Sequence, residues 1–109
     1  MSTDRAFVDQ VLERLPSRDM RARPMFGEYG LYCGDTIIGL ICDNTVFIKV
    51  TDAGSAFAGR IGRGAPYPGA RDHLRISRAR LRDTDWLEQL VDCTVAALPA
   101  AKPKRTRKG

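Results

Sequence analysis

The sequence predicts an α+β domain: a two-layer sandwich in which an antiparallel sheet packs with N- and C-terminal helices. Three observations carry this. Two amphipathic stretches, near residues 4–15 and 84–98, flank the chain. Between them, residues 21–51 are rich in β-branched and aromatic residues punctuated by two-residue turn signals. A further alternating stretch, residues 72–78, follows a glycine-rich loop. Helices outside a run of strands favour an antiparallel sheet, here a meander of three strands plus at least one more.

The first helix is expected over residues 4–15. Phe7, Val8, Val11, Leu12 and Leu15 recur at helical spacing, Ser2 or Thr3 can cap the start, and Pro16 stops it. In residues 21–51, Gly34-Asp35 and Asp43-Asn44 are hairpin turns. Pairing outward from the first sets Cys33 opposite Thr36, Leu31 opposite Ile38 and Tyr29 opposite Leu40. From the second, Cys42 faces Thr45, Leu40 faces Phe47 and Ile38 faces Lys49. This register puts Tyr29, Leu31, Ile38, Leu40 and Phe47 on one face, and Tyr32, Ile37, Ile41, Val46, Ile48 and Val50 on the other. Gly30 and Gly39 would then lie opposite one another as a smooth strip, serving close packing or approach by a ligand. Neither face is polar, so both need cover, by helices on both sides or by self-association, with a homodimer preferred.

Residues 52–58 fit a short helix capped by Asp52 and stopped at Gly59. In residues 72–78, Leu74 and Ile76 point one way and His73, Arg75 and Ser77 the other, with His73 expected to be exposed. The last helix, 84–98, buries Trp86, Leu87, Leu90, Val91, Thr94 and Leu98; Asp83 and Asp85 suit its start and Pro99 ends it.

At 109 residues the chain is one domain, residues 1–99, with a basic tail, residues 100–109, expected to be disordered. No apolar run approaches the roughly 20 residues of a membrane helix. The N-terminus has no secretory pattern, so a cytoplasmic location without membrane contact is expected. The net charge of +5 is unevenly placed. Of 18 Lys and Arg, five (Lys102, Lys104, Arg105, Arg107 and Lys108) belong to the tail, leaving 13 against 13 acids. Any nucleic-acid affinity is therefore expected of the tail, as weak, salt-sensitive contact with phosphates; the bland alternative is a solubilising tail.

The chemistry-bearing residues are few. Cys33, Cys42 and Cys93 lack metal-ligand spacing and read as reduced thiols, Cys33 and Cys42 lying too far apart to bridge. His73, the one histidine, has no recognisable nucleophile or acid partner. The loop over residues 59–71 offers Arg60, Arg63 and Arg71 to an anion among glycines, but lacks both the P-loop ending and the GxGxxG order. A flexible surface loop is the plainer reading. No catalytic set, metal site or cofactor is expected.

The run Met25-Phe26-Gly27-Glu28-Tyr29-Gly30-Leu31-Tyr32, then Gly39-Leu40-Ile41-Cys42-Asp43-Asn44 and Phe47-Ile48-Lys49-Val50, resembles the N-terminal domain of the TfoX/Sxy family. Ala65-Pro66-Tyr67-Pro68-Gly69-Ala70 and Asp85-Trp86-Leu87 resemble it also, so the likeness spans roughly residues 7–98. These motifs are specific for fold and weak for function. The resemblance implies an α/β sandwich similar to the secretion-chaperone-like architecture, no established catalytic residues, and the company of bacterial regulators of natural competence. Full-length competence regulators carry a second, C-terminal helical domain; here a basic tail follows Leu98.

Three functions compete. The first is a non-enzymatic protein-interaction domain, acting in transcription or competence through an unknown protein partner, with Lys49, Tyr29 and Tyr32 as contact residues. The second is a weak nucleic-acid binder using the tail, assisted by Arg60, Arg63 and Arg71. The third is a small-molecule or anion site at the Gly/Arg loop, with enzymatic chemistry open; a pocket joining that loop to Lys49 or His73 would favour it.

Overall fold

The computed structural model describes residues 3–16 and 18–98. The element order is α1 (Arg5–Glu13), β1 (Met20–Met25), β2 (Glu28–Cys33), β3 (Thr36–Cys42), β4 (Thr45–Lys49), α2 (Asp52–Ala58), β5 (Arg63–Gly64), β6 (His73–Ile76), α3 (Arg78–Arg82) and α4 (Thr84–Ala97). The strands form one open antiparallel sheet in the order β1-β2-β3-β4-β6-β5. The fold is α+β, as its sequence pattern predicts, with N- and C-terminal helices packed on the sheet.

The main core lies between sheet and helices. Val8, Val11 and Leu15 from the N-terminal segment meet Leu31, Ile38, Ile41, Val46, Ile48, Leu74 and Ile76 from the sheet and Leu87, Leu90 and Val91 from α4. These side chains are almost wholly out of water. Burying each stabilises the fold by roughly 1.5–3 kcal/mol relative to exposure. A second, smaller cluster of Leu40, Cys42 and Phe47, with Met25 and Ile37 against it, occupies the other face of the sheet. None of its members lies on a helix, so the expected cover by helices on both faces is not found among the described residues. Instead the segment after α2 approaches this face. A Cβ at Gly64 would lie 3.8 Å from the Phe47 ring, and the Tyr67 ring stands 6.5 Å from that of Phe26.

The face assignment read from alternation is corrected by a β-bulge. The pairs next to the turn, Cys33 with Thr36 and Tyr32 with Ile37, keep simple register. Beyond them Leu31 pairs with Gly39, Gly30 with Leu40, and Tyr29 with Ile41. Ile38 is the extra residue on β3. One inserted residue moves every later side chain of β3 to the opposite face of its expected partner. Leu40 and Phe47 therefore leave the face of Leu31 and Ile38, and Ile38 and Ile41 share the helix side despite their odd spacing. The β3–β4 register holds as expected, with Leu40 opposite Phe47 and Cys42 opposite Thr45.

The expected strip of facing glycines is also absent. Gly30 lies under the ends of the Met25, Tyr32 and Ile37 side chains. Gly39 is closed off by backbone: a Cβ there would sit 2.0 Å from the Phe47 carbonyl oxygen. Both cysteines near the hairpin are free thiols, with Cys33 packed toward the helix side and Cys42 in the other cluster.

Several local expectations change. The first of the three strands expected in residues 21–51 is two: the chain turns at Phe26-Gly27, and β1 is a separate edge strand, where Pro24 is tolerated. Thr3 does not cap α1. Its hydroxyl donates to Glu28 Oε1 at 2.6 Å, while Asp4 is the cap residue and makes no side-chain cap bond; Ser2 lies outside the described residues. Thr51, not Asp52, caps α2 by accepting from Gly54 N at 2.9 Å. His73 is buried rather than exposed. Helix α4 follows expectation, with the Asp83 carboxylate accepting from Trp86 N at 3.2 Å.

Candidate functional site

The three two-residue turns of the meander solve one problem differently. In the β3–β4 turn, Asp43 and Asn44 both take positive φ, 51° and 55°. Asp and Asn are the side chains that enter this region most readily. In the β2–β3 turn, Gly34 carries the positive φ. The β1–β2 turn uses Phe26, φ 53°, followed by Gly27, φ 80°. An aromatic residue in the left-handed region costs on the order of 1–3 kcal/mol. Phe26 does not recover that cost by burial, since it is 90% exposed.

Phe26 forms the rim of a pocket on the helix-free face. Met25, Glu28, Leu40, Cys42 and Tyr67 complete its lining, around a volume of about 320 Å³. The lining is mostly carbon. Its one carboxylate is already engaged: Glu28 accepts from Thr3 Oγ1 at 2.6 Å and from Asp43 N at 3.3 Å, while Asn44 Oδ1 accepts from Asp4 N at 2.8 Å. These bonds tie the start of the chain to the β3–β4 turn. Cys42 lies in the floor. Burial, aided by Glu28 and Asp43, pushes its thiol up to about 11, so it is a thiol rather than a nucleophilic thiolate near neutral pH. Phe26-Gly27, with Gly in the second turn position, was the sequence signal for this site.

The residues predicted for function are dispersed. Tyr29 packs toward the helix side, with the Arg5 guanidinium 5.9 Å from its ring centre. Tyr32 belongs to the residues of the opposite face, with the Arg23 guanidinium 5.1 Å from its ring. Arg63 donates to Ser55 Oγ at 3.4 Å, and Arg60 is exposed. Lys49 and Arg71 do come together, with His73, in a cleft of about 380 Å³ that Val50, Asp72 and Leu98 complete. Lys49 is the cross-strand partner of His73. The cations predicted beyond residue 98 lie outside the described residues. Among the described residues no three His, Cys, Asp or Glu side chains gather as a metal site requires, and no helix is long and apolar enough to cross a membrane.

The family model for the TfoX N-terminal domain matches residues 11–98, a span that contains the whole meander and both sites. The chain belongs to the TfoX N-terminal domain family. The chain is also 36% identical over 108 residues to an uncharacterized 12.7 kDa protein in the trpE 5′ region of Spirochaeta aurantia, covering 98% of this chain and 93% of that protein. That relative brings no function with it. In this TfoX N-terminal domain the pocket and the cleft both lie within the matched span.

Proposed function

We propose that this TfoX N-terminal domain is a non-enzymatic protein-interaction module that takes an apolar side chain of a partner protein into the Phe26–Tyr67 pocket, and that it acts in regulation of the transcription or competence type through that partner. The carrying observation is Phe26. A residue held at positive φ, almost wholly in water, beside an apolar pocket is poorly suited to the turn and well suited to a contact. Exposed aromatic anchors beside pockets are the usual energetic centres of protein interfaces. A polar metabolite would need converging polar groups to orient it, and the lining offers two, the Tyr67 hydroxyl and the Glu28 carboxylate, the latter already bound by Thr3 and Asp43. A small molecule in the pocket would also leave the exposed ring of Phe26 uncovered.

The test uses displayed peptides, because no partner need be known. A library of extended peptides is selected on the full chain, and the selected peptides are mapped by amide and methyl chemical shifts. The expected result is a shared aliphatic or aromatic anchor, shifts at Met25, Leu40 and Cys42, and at least tenfold weaker binding to Phe26→Ser or Tyr67→Ser. Peptides that bind elsewhere, or equally well to both variants, would overturn the proposal.

A further inference from the structure

We propose that the cleft of Lys49, Arg71, Asp72 and His73 binds a free α-amino acid with an aliphatic side chain, its carboxylate on the two cations and its ammonium on Asp72 and the His73 ring. The cleft shares no lining residue with the Phe26–Tyr67 pocket, and this inference is independent of the function proposed for that pocket. The sheet builds it. Antiparallel pairing sets Lys49 directly across from His73. Residues so opposed stand on one face, with Cβ atoms about 4.5–5.5 Å apart. Arg71 and Asp72 lead into β6 and are exposed, whereas Lys49 is half-buried and His73 is only 9% exposed. The Arg71 carbonyl accepts a hydrogen bond from His73 Nδ1 at 2.8 Å. A carbonyl can only accept, so the Nδ1 proton is fixed there, and Nε2 of the neutral ring is an acceptor. Nε2 has no partner among the described residues. A buried acceptor without a donor is costly, and an N–H of a ligand would relieve that cost.

Charges of both signs, left open, select the ligand. Lys49, Arg71 and Asp72 line one cleft, yet none of the three has an ion pair among the described residues. A plain anion would answer the two cations, but it would be repelled by Asp72 and would leave Nε2 without a donor. A plain amine would satisfy Asp72 and Nε2 and be repelled by the cations. A zwitterion answers all four groups. Its carboxylate accepts from Lys49 Nζ and the Arg71 guanidinium, and its ammonium donates to the Asp72 carboxylate and His73 Nε2. Both charges on one carbon mark a free amino acid, since a peptide terminus carries only one of them. Val50 and Leu98 complete the lining as an apolar wall for the side chain. The volume of about 380 Å³ falls at the small end of ligand sites, which suits a molecule of this size.

The experiment titrates the isotope-labelled full chain with L-leucine and follows amide chemical shifts. Saturable shifts are expected at Lys49, Val50, Asp72, His73 and Leu98, with a Kd of about 1 mM or tighter. N-acetyl-leucine lacks the ammonium and leucinamide lacks the carboxylate. Each should bind at least about tenfold more weakly, the loss expected of one charged hydrogen-bonding group. Glycine has no side chain for Val50 and Leu98 and should also bind more weakly than leucine. Arg71→Gln and Asp72→Asn, both at exposed positions, should each weaken leucine about tenfold, with Asp72→Asn binding N-acetyl-leucine no more weakly than the native chain does. Arg60→Gln, outside the cleft lining, is the control and should bind leucine as the native chain does. Spectra of the ligand-free variants report whether the fold is kept. No saturable shift up to about 10 mM leucine would overturn the proposal. So would an Asp72→Asn variant that binds leucine as tightly as the native chain, a control that loses as much as the cleft variants, or shifts centred on Phe26 and Tyr67. N-acetyl-leucine, leucinamide or inorganic phosphate binding as tightly as leucine would overturn the zwitterion assignment, and glycine binding as tightly would overturn the apolar wall. Failure here would leave the Phe26 pocket untouched, because the two sites share no residue.

Discussion

Gly39→Ala should be among the most destabilising single-methyl changes in this domain. The added Cβ would stand 2.0 Å from the Phe47 carbonyl oxygen and 3.0 Å from Ile48 Cα and Phe47 C. Ordinary close C···O contacts are about 3.3–3.6 Å, so the overlap exceeds 1 Å. The neighbours are backbone, so no rotamer change relieves it, and β3 must move away from β4 beside the Gly39–Ile48 and Leu40–Phe47 pairs. Overpacking of this kind costs about 1–3 kcal/mol. Each weakened ladder hydrogen bond adds about 0.5–1.5 kcal/mol. A loss of about 3 kcal/mol is expected, a large part of the roughly 5–15 kcal/mol typical of a domain. Gly30→Ala is the internal control. Its Cβ would meet only the side-chain ends of Met25, Tyr32 and Ile37, at 3.1 to 3.5 Å, and those can give way. Urea unfolding followed by circular dichroism reads both. If Gly39→Ala falls within about 0.5 kcal/mol of the native protein, or Gly30→Ala is the worse of the two, the bulge register is wrong; that margin is the usual scatter of harmless surface changes.

Two further outcomes follow from titratable groups. Cys42 should resist alkylation at pH 8 and become reactive only as pH approaches about 11, because burial holds its thiol protonated; labelling at the rate of a free cysteine at pH 8 would contradict this. The Arg18 guanidinium donates to Asp92 through Nε at 2.9 Å and Nη2 at 2.5 Å, and that hydrogen bonding holds the Asp92 carboxyl below its ordinary 3.8. A lowered folded-state value gives stability that is present above 3.8 and lost as pH falls through the folded value. Asp92→Asn should therefore be less stable than the native chain at pH 7 by a small amount, since the carboxylate is largely exposed, with the gap narrowing as pH falls below 3.8. A gap that does not change with pH would show that the ion pair is not its source.

The fold was legible wherever one local rule sufficed. Helix α4 announces itself through the Leu87, Leu90, Val91 and Thr94 stripe, and Asp43-Asn44 fixes the β3–β4 register. What escaped depended on a single inserted residue or on tertiary context. The bulge at Ile38 reverses half of the face assignment, yet it leaves no mark on a run in which both faces are apolar. Strand β1 carries arginines and a proline because it is an edge, and β5 is two residues long. The pocket was hidden for a related reason. Phe26 reads as one more hydrophobic strand residue until Gly27 is recognised as a turn position. His73 looked exposed because alternation sets it with Arg75 and Ser77, opposite Leu74 and Ile76, whereas in the sheet it lies across from Lys49 and is buried. Lys49 and Arg71 were both singled out, but their meeting requires the β4–β6 pairing that sequence spacing does not display.

The central claim is that Phe26 occupies its turn for the sake of a contact and not for the fold. Phe26→Asn tests both halves at once. Asn enters the left-handed region more easily, as Asn44 does in the neighbouring turn, and little burial is lost from a ring that is 90% exposed. The variant should therefore be more stable by about 0.5–1.5 kcal/mol, raising Tm by roughly 4–8 °C per kcal/mol, while its binding to pocket-selected peptides weakens at least tenfold. A variant that is destabilised, or that is stabilised and still binds as tightly as the native chain, would contradict the account.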